Sequence, residues 1–188
     1  MKSPQSLKFY LSPVSQGATI AITLASLAFG MVTRADDGQL PSLPSPLCDS
    51  LQVPEGHSLK FRAYAIGVQI YRWDGTAWVF VAPSAKLYSD PGFHGQIGIH
   101  YAGPTWESRS GSKVVAARLA GCTPDGSAIP WLKLGAVSTE GPGVFKGVTF
   151  IHRVNTTGGT APTTPGTTVG QLANVDYTAE YYFYSESD

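Results

Sequence analysis

Apolar and polar residues alternate along much of this chain with the period of two that is typical of β-strands. In residues 59–65, one face carries only apolar side chains: Leu59, Phe61, Ala63 and Ala65. Six further runs are strand candidates: residues 86–88, 94–101, 113–119, 131–137, 145–154 and 175–184. Glycine- and proline-rich turns separate them, and a Thr-, Gly- and Pro-rich loop is expected at residues 156–170. The pattern predicts an all-β fold, either an antiparallel β-barrel or a β-sandwich.

The strongest local signal is Asp74-Gly75 between two β-rich runs, which is typical of a tight hairpin. A two-residue turn would place Trp73 opposite Thr76 and Tyr71 opposite Trp78. One face would then be mainly aromatic: Gln69, Tyr71, Trp73, Thr76, Trp78 and Phe80. The other would be aliphatic: Val68, Ile70, Val79 and Val81. Because the aliphatic face could fill the core alone, the aromatic face is a candidate exposed surface; the alternative is that the aromatic residues pack in the core.

An apolar, uncharged run at residues 18–32 dominates the N-terminal part of the chain. Lys2 and Lys8 precede it, and the small residues Thr33 and Ala35 follow, which is the layout of a cleavable secretory signal peptide. The sequence therefore predicts three segments: a signal peptide at 1–35, a Pro/Ser-rich extended arm at 36–54 and a single all-β domain at 55–188. We expect the mature protein to be secreted or periplasmic.

The charge of the mature chain argues against two classes of partner. Cleavage after residue 35 would remove three of the 13 basic residues and none of the 13 acidic ones, leaving a formal charge of −3. No Lys/Arg cluster remains, so we expect neither nucleic-acid binding nor a polybasic membrane-binding patch. After residue 35 no apolar run approaches the roughly 20 residues of a spanning helix, so no transmembrane segment is expected in the mature chain.

Two cysteines remain in the mature chain, Cys48 and Cys122. In an oxidising compartment such a pair predicts a disulfide, which would contribute about 4 kcal/mol by closing a long loop. Two buried free thiols are the alternative. Two cysteines alone cannot form a zinc site, and we expect no cofactor.

Glu107 and His100, on either side of the Gly103-Pro104 turn, are the candidate catalytic residues. Trp106 could desolvate the Glu107 carboxyl and raise its pKa. His152 could join His100 and Glu107 as a third metal ligand from a neighbouring strand. These residues define a hypothesis of a metal-assisted or hydrolytic enzyme. The alternative is that the histidines bond to backbone or water and Glu107 caps a turn or pairs with an arginine.

Aromatic residues support a different hypothesis, because flat aromatic surfaces bind sugar rings, other apolar ligands and partner proteins. The candidate ligand-binding residues are Tyr71, Trp73, Trp78 and Trp106. Two further aromatic residues of the last predicted strand lie on its polar face: Tyr182 and Tyr184. We favour a non-catalytic binding or envelope-associated module whose partner is a glycan, an apolar ligand or an envelope protein. A secreted structural or stress-related protein without a ligand is a third alternative.

Five runs, in order along residues 53–184, resemble a family of small exported bacterial and fungal proteins that is defined only as a domain of unknown function. They are GVQIY (67–71), HYAGPTWE (100–107), AIPWL (128–132), VTFIHRVNT (148–156) with Gly158-Gly159, and YTAEYYFY (177–184). The resemblance implies export and a shared β fold, and no activity. Some members carry a malate dehydrogenase label, but the nearest match to the dinucleotide-binding G-x-G-x-x-G has a different spacing: Gly141, Gly143 and Gly147.

Overall fold

The computed structural model describes residues 39–187, so the predicted signal peptide at 1–35 lies outside the described residues. Within 39–187 the chain forms eight β-strands and a short 3-10 helix at Asp49–Leu51. The strands are β1 (His57–Trp73), β2 (Trp78–Tyr88), β3 (Gln96–Tyr101), β4 (Thr105–Ser108), β5 (Lys113–Cys122), β6 (Trp131–Glu140), β7 (Val148–Gly158) and β8 (Leu172–Glu186). The predicted all-β class is confirmed. None of the described helices is long and apolar enough to cross a bilayer.

All eight strands belong to one antiparallel sheet that closes on itself. Each strand pairs with its neighbours in the sequence, and β1 also pairs with β8. The architecture is therefore a closed barrel, and of the two predicted alternatives the sandwich does not form. β1 is 17 residues long and pairs with both β2 and β8, so it forms the seam at which the sheet closes. Closure leaves no free sheet edge at this seam.

Two strands, β7 and β4, differ from the sequence prediction. The run predicted at 145–154 becomes a strand only from Val148, because Phe145 leaves the sheet and enters the interior. β4 is an additional strand of four residues, Thr105–Ser108, which is too short to show a clear alternation. It pairs with β3 across the tight turn at residues 102–104.

The β1–β2 hairpin has a different register from the predicted one. Trp73 pairs with Trp78 rather than with Thr76, because the turn contains four residues, 74–77, instead of two. The Asp74 carboxylate accepts hydrogen bonds, both 2.8 Å long, from two backbone N–H groups of this turn. Because the register moves by two residues, the same side chains still share each face.

The aromatic face of this hairpin, and not the aliphatic one, points toward the interior. Gln69 and Tyr71 are 2% and 8% exposed, whereas Val79 and Val81 are 43% and 51% exposed. Of the two alternatives that the sequence left open, it is the aromatic face that packs toward the core. The physical reason lies in β1, where the inward positions begin at Phe61 and continue by twos along the strand to Gln69 and Tyr71.

Aromatic rings packed beside small residues fill the barrel. The large buried side chains are Trp106, Phe145, Tyr177, Tyr181 and Phe183, and the alanines beside them are Ala63, Ala65, Ala85, Ala116 and Ala179. The alanines leave the space that the rings need in the narrow interior of an eight-stranded barrel. We call the end with the β1–β2 turn the upper end. At the lower end Phe145 packs against Phe183 with 5.1 Å between ring centroids, and it plugs the barrel.

The described part of the predicted arm, residues 39–54, packs on the outside of the barrel. A disulfide joins Cys48 to Cys122 at the upper end of β5, which confirms the predicted pairing. The arm covers the outward side chains of Tyr182 and Tyr184, each of which is 3% exposed. These two tyrosines do lie on the outer face of β8, but they offer no exposed binding surface.

Candidate ligand site

A cavity of about 250 Å³, here called the upper cavity, lies inside the upper end of the barrel. Every strand contributes to its wall, in strand order through Gln69, Pro83, His100, Trp106, Arg118, Leu134, Arg153 and Tyr181. Phe145 plugs the lower end, and the exposed residues Phe80 and Arg118 stand at the rim, so the cavity is reached from above. Its volume suits a small ligand, since pockets for drug-sized molecules measure about 300–1,000 Å³.

Apolar side chains form most of the wall: Phe80, Val81, Ala82, Pro83, Ala102, Pro104, Leu132 and Leu134. A β-bulge explains why consecutive residues of β2 take part. Tyr71 pairs with Phe80 and Ile70 pairs with Ala82, so Val81 has no partner on β1. A bulge of this kind bends the strand and re-aims its side chains, here toward the rim.

An aromatic cluster forms one side of the upper cavity. The His100 and Trp106 rings stack with centroids 4.3 Å apart and planes inclined by 13°. The stacking follows from the register, because these two residues are direct partners across β3 and β4. Tyr181 meets both rings edge-on, at 5.2 Å from His100 and 5.3 Å from Trp106.

His100 is neutral in this setting. Burial lowers its pKa to about 3, and the charge of Arg153 acts in the same direction against a hydrogen bond to Thr105. His100 Nδ1 lies 2.9 Å from the Thr105 carbonyl oxygen, to which only a protonated nitrogen can donate. The neutral ring therefore carries its proton on Nδ1 and a lone pair on Nε2.

Two arginines carry all the formal charge of the cavity wall. Arg153 donates from Nε and Nη2 to the Pro130 carbonyl oxygen, at 3.1 and 2.8 Å, which holds its guanidinium in place. Arg118 is exposed at the rim. The ion pairs of residues 39–187 involve neither arginine, and no carboxylate of the described chain lines the cavity.

Three buried donors in the wall make no hydrogen bond within residues 39–187: Gln69 Nε2, Trp106 Nε1 and the Tyr181 hydroxyl. Burial raises the pKa of Tyr181, so its hydroxyl stays protonated and able to donate. The Tyr177 hydroxyl lies near Gln69 and the Tyr181 hydroxyl, and Arg153 also lies near the Tyr181 hydroxyl, but none of these pairs has hydrogen-bond geometry. Protein atoms cover all three donors, and leaving such a donor unpaired costs about 1–3 kcal/mol.

The predicted aromatic binding residues are divided between two places. Trp106 lines the upper cavity and is only 1% exposed. Tyr71 is buried nearby and donates a hydrogen bond of 2.7 Å to the Gly159 carbonyl oxygen. Both side chains belong to the barrel interior.

Trp73 and Trp78 lie on the hairpin near the upper end, with ring centroids 5.5 Å apart. Residues 159–171, which include most of the predicted Thr/Gly/Pro loop, pack on them. Trp78 Nε1 donates to the Thr164 carbonyl oxygen at 2.9 Å, and a Cβ added at Gly166 would lie 2.5 Å from the Trp73 ring. The four predicted aromatic residues therefore do not form one exposed surface.

The predicted catalytic and metal-binding residues do not converge. His100 points into the barrel, whereas Glu107 lies on the outer face and accepts a hydrogen bond of 2.8 Å from the Tyr101 hydroxyl. His152 is also on the outer face, where burial lowers its pKa and its Nε2 donates to the Leu51 carbonyl oxygen at 2.7 Å. Neighbouring positions on paired strands face opposite sides, which separates His100 from Glu107. Within 39–187 no three potential ligand side chains group around a metal position.

Sequence reasoning missed three polar residues of the wall, Gln69, Arg118 and Arg153. Two of them follow from strand alternation, because Arg153 lies two residues after the buried Ile151, and Gln69 lies two residues before Tyr71. A polar side chain at an inward position of an otherwise apolar strand face is the signal that could have found them.

The fold and the site define a class of protein: a closed antiparallel β-barrel with a ligand-sized cavity at one end. Residues 54–185 match the family described as protein of unknown function (DUF3455), and the chain belongs to this family. The match spans the barrel from before β1 into β8 and leaves Cys48 of the arm outside it. The family resemblance predicted from the sequence is confirmed. Comparisons with curated proteins and with solved structures give no match.

Proposed function

We propose that this protein is an exported, non-catalytic binding module that holds a small ligand in the upper cavity. The cavity itself carries the proposal. Its apolar and aromatic wall contains a few fixed polar groups, which is the usual composition of a ligand pocket. A purely structural protein would have no need for an opening into its core, and filling this space with larger side chains would stabilise the barrel.

The composition of the wall supports binding rather than catalysis. No serine, cysteine or carboxylate of the described chain lines the upper cavity. His100 therefore has no serine or cysteine nucleophile and no carboxylate beside it, and these are the usual partners of a histidine in hydrolytic chemistry. The ligand site we propose is internal, so a glycan lying flat on an exposed aromatic surface is not favoured.

Export is supported by two independent features. The disulfide between Cys48 and Cys122 is a bond that persists in oxidising compartments. The apolar run at 18–32, with small residues after it, has the layout of a signal peptide. Together they favour a periplasmic or extracellular location.

The proposal can be tested by NMR with benzyl alcohol as a neutral probe. Because the Trp106 ring lines the cavity, its indole N–H resonance should shift on titration of the probe. Ala102→Trp places a large side chain in the wall and should weaken binding at least about tenfold. Ala117→Trp, at an exposed position of β5 outside the cavity wall, is the matched control and should bind normally. An unshifted Trp106 resonance at millimolar probe, or equal binding by both variants, would overturn the proposal.

A further inference from the structure

We infer that the ligand of the upper cavity is a small organic anion, a monocarboxylate with a compact apolar body. This inference rests on the proposed function and adds the chemical class of the ligand. Its first basis is charge: the wall contains the guanidinium groups of Arg118 and Arg153 and no carboxylate of the described chain. A site with two positive charges and no negative one selects an anion.

Within residues 39–187, neither Arg118 nor Arg153 forms an ion pair. Arg153 donates two hydrogen bonds to the Pro130 carbonyl oxygen. This acceptor is neutral, so it orients the guanidinium without cancelling its charge. The charge of Arg153 reaches the interior, because it contributes to the lowered pKa of His100.

Hydrogen bonding favours the same class through the guanidinium groups. A carboxylate is acceptor-only and offers about four lone-pair sites on two oxygens, which suits the donors of Arg118 and Arg153. Gln69 Nε2, Trp106 Nε1 and the Tyr181 hydroxyl are further donors without a partner in residues 39–187, but protein atoms cover each of them. A ligand would reach these three donors only if their side chains moved.

The aromatic and apolar part of the cavity wall indicates the shape of the uncharged part of the ligand. The rings of His100, Trp106 and Tyr181 form one side, and Leu132 and Leu134 belong to the apolar remainder. Flat rings and branched aliphatic side chains favour an aromatic or alicyclic body. A cavity of about 250 Å³ leaves no room for a long acyl chain.

The test uses three probes of matched shape and different charge: benzoate, benzamide and benzylamine. The folded, disulfide-bonded protein is titrated with each at pH 7.5, and dissociation constants are taken from the Trp106 indole resonance. We expect benzoate to bind at least about tenfold more tightly than benzamide, and benzylamine to bind most weakly. Equal affinity for benzoate and benzamide would overturn the anion inference while leaving the proposed function intact. Binding by none of the three would overturn both.

Substitutions of single arginines test whether the preference for an anion arises in the upper cavity. Arg118→Gln changes an exposed side chain, so we expect the barrel to fold, and its preference for benzoate over benzamide should decrease but not vanish, because Arg153 remains. Arg118→Glu should weaken benzoate further and leave benzamide unchanged. Arg109→Gln, in the turn at the lower end of the barrel, is the control and should keep the full preference for benzoate. A preference that neither Arg118 change reduces would contradict the assignment.

Discussion

At the scale of single residues, burial decides the chemistry of His100. The side chain is 3% exposed, stacks on Trp106 and donates from Nδ1 to the Thr105 carbonyl oxygen. An imidazolium there would lose its hydration and face the nearby positive charge of Arg153. The folded barrel therefore holds this histidine neutral at pH values where an exposed histidine would be protonated.

This pKa shift predicts that acid destabilises the barrel. The pKa of His100 falls from 6.5 to about 3 on folding, so below pH 6.5 the unfolded chain binds more protons than the folded one. Above pH 6.5 the neutral His100 does not reduce the free energy of unfolding. Below pH 6.5 this free energy falls by about 1.4 kcal/mol for each pH unit, down to about pH 3. Urea denaturation of wild type and His100→Gln at pH 7.5 and 5.0 should show a shallower decline for the variant.

The matched control for this experiment is His94→Gln, because the His94 side chain is 83% exposed. His94→Gln should lose stability between pH 7.5 and 5.0 as steeply as the wild type does. His152 will contribute to acid sensitivity in both variants, since burial lowers its pKa as well. If His100→Gln loses stability with acid as steeply as wild type, then His100 is not held neutral as described.

At the scale of elements, the junction between β7 and the 159–171 loop shapes the wall of the upper cavity. Gly158 and Gly159 both have positive φ, 58° and 77°, a conformation that other residues rarely adopt. They turn the chain so that the Gly159 carbonyl accepts the Tyr71 hydroxyl and its N–H donates to Asp176. Gly159 also packs against Gln69, which places that side chain in the wall.

Gly159→Ala should therefore destabilise the protein for two reasons. The residue would be strained at φ 77°, and its Cβ would lie 2.9 Å from Tyr177 Cβ and 3.1 Å from Gln69 Cγ. Gly56→Ala isolates the first effect, because Gly56 has φ 81° and nothing within 4 Å of an added Cβ. We expect Gly159→Ala to cost about 1–3 kcal/mol more than Gly56→Ala in urea denaturation. Equal losses would show that the backbone, and not the contact, is what requires glycine at 159.

At the scale of the whole molecule, the arm and the barrel form one packed unit through the disulfide. Lys133 Nζ donates to the Gln52 carbonyl oxygen at 2.8 Å, and His152 donates to that of Leu51. Leu51 is fully buried beside the Cys48–Cys122 bond. The arm thus completes a second, outer core, and only the arm side of that core, residues 39–53, lies outside the family match.

Replacing both cysteines by alanine should loosen this outer core. The bond joins residues 74 apart in the sequence, and its loss should cost about 4 kcal/mol by releasing loop entropy in the unfolded chain. Calorimetry would measure the loss. Amide exchange should accelerate first at residues 48–52 and leave the strands protected. Unchanged stability, or exchange that rises equally across all strands, would contradict the expectation that the disulfide mainly stabilises the outer core.

Alternation and turn chemistry predict much of the fold because they act locally. The period of two in residues 59–65 predicts β1, and Asp74-Gly75 predicts the hairpin, since each depends on neighbours within a few residues. The prediction that Leu59 shares a face with Phe61 is wrong, because a bulge between them places Leu59 in the outer cluster with Tyr184. The turn length at 74–77 was not predicted, because both possible registers satisfy the same face pattern. The pairing of Cys48 with Cys122 followed from having only two cysteines.

The amino-acid sequence by itself determined the all-β class, the positions of most strands and the disulfide. Only the tertiary structure decided which hairpin face turns inward, because both faces are apolar and local alternation cannot rank them. It also decided that the arm covers Tyr182 and Tyr184 and that residues 159–171 pack on Trp73 and Trp78. The upper cavity exists only after closure, since its wall takes one or more side chains from every strand, and contacts at such sequence separations leave no local signal.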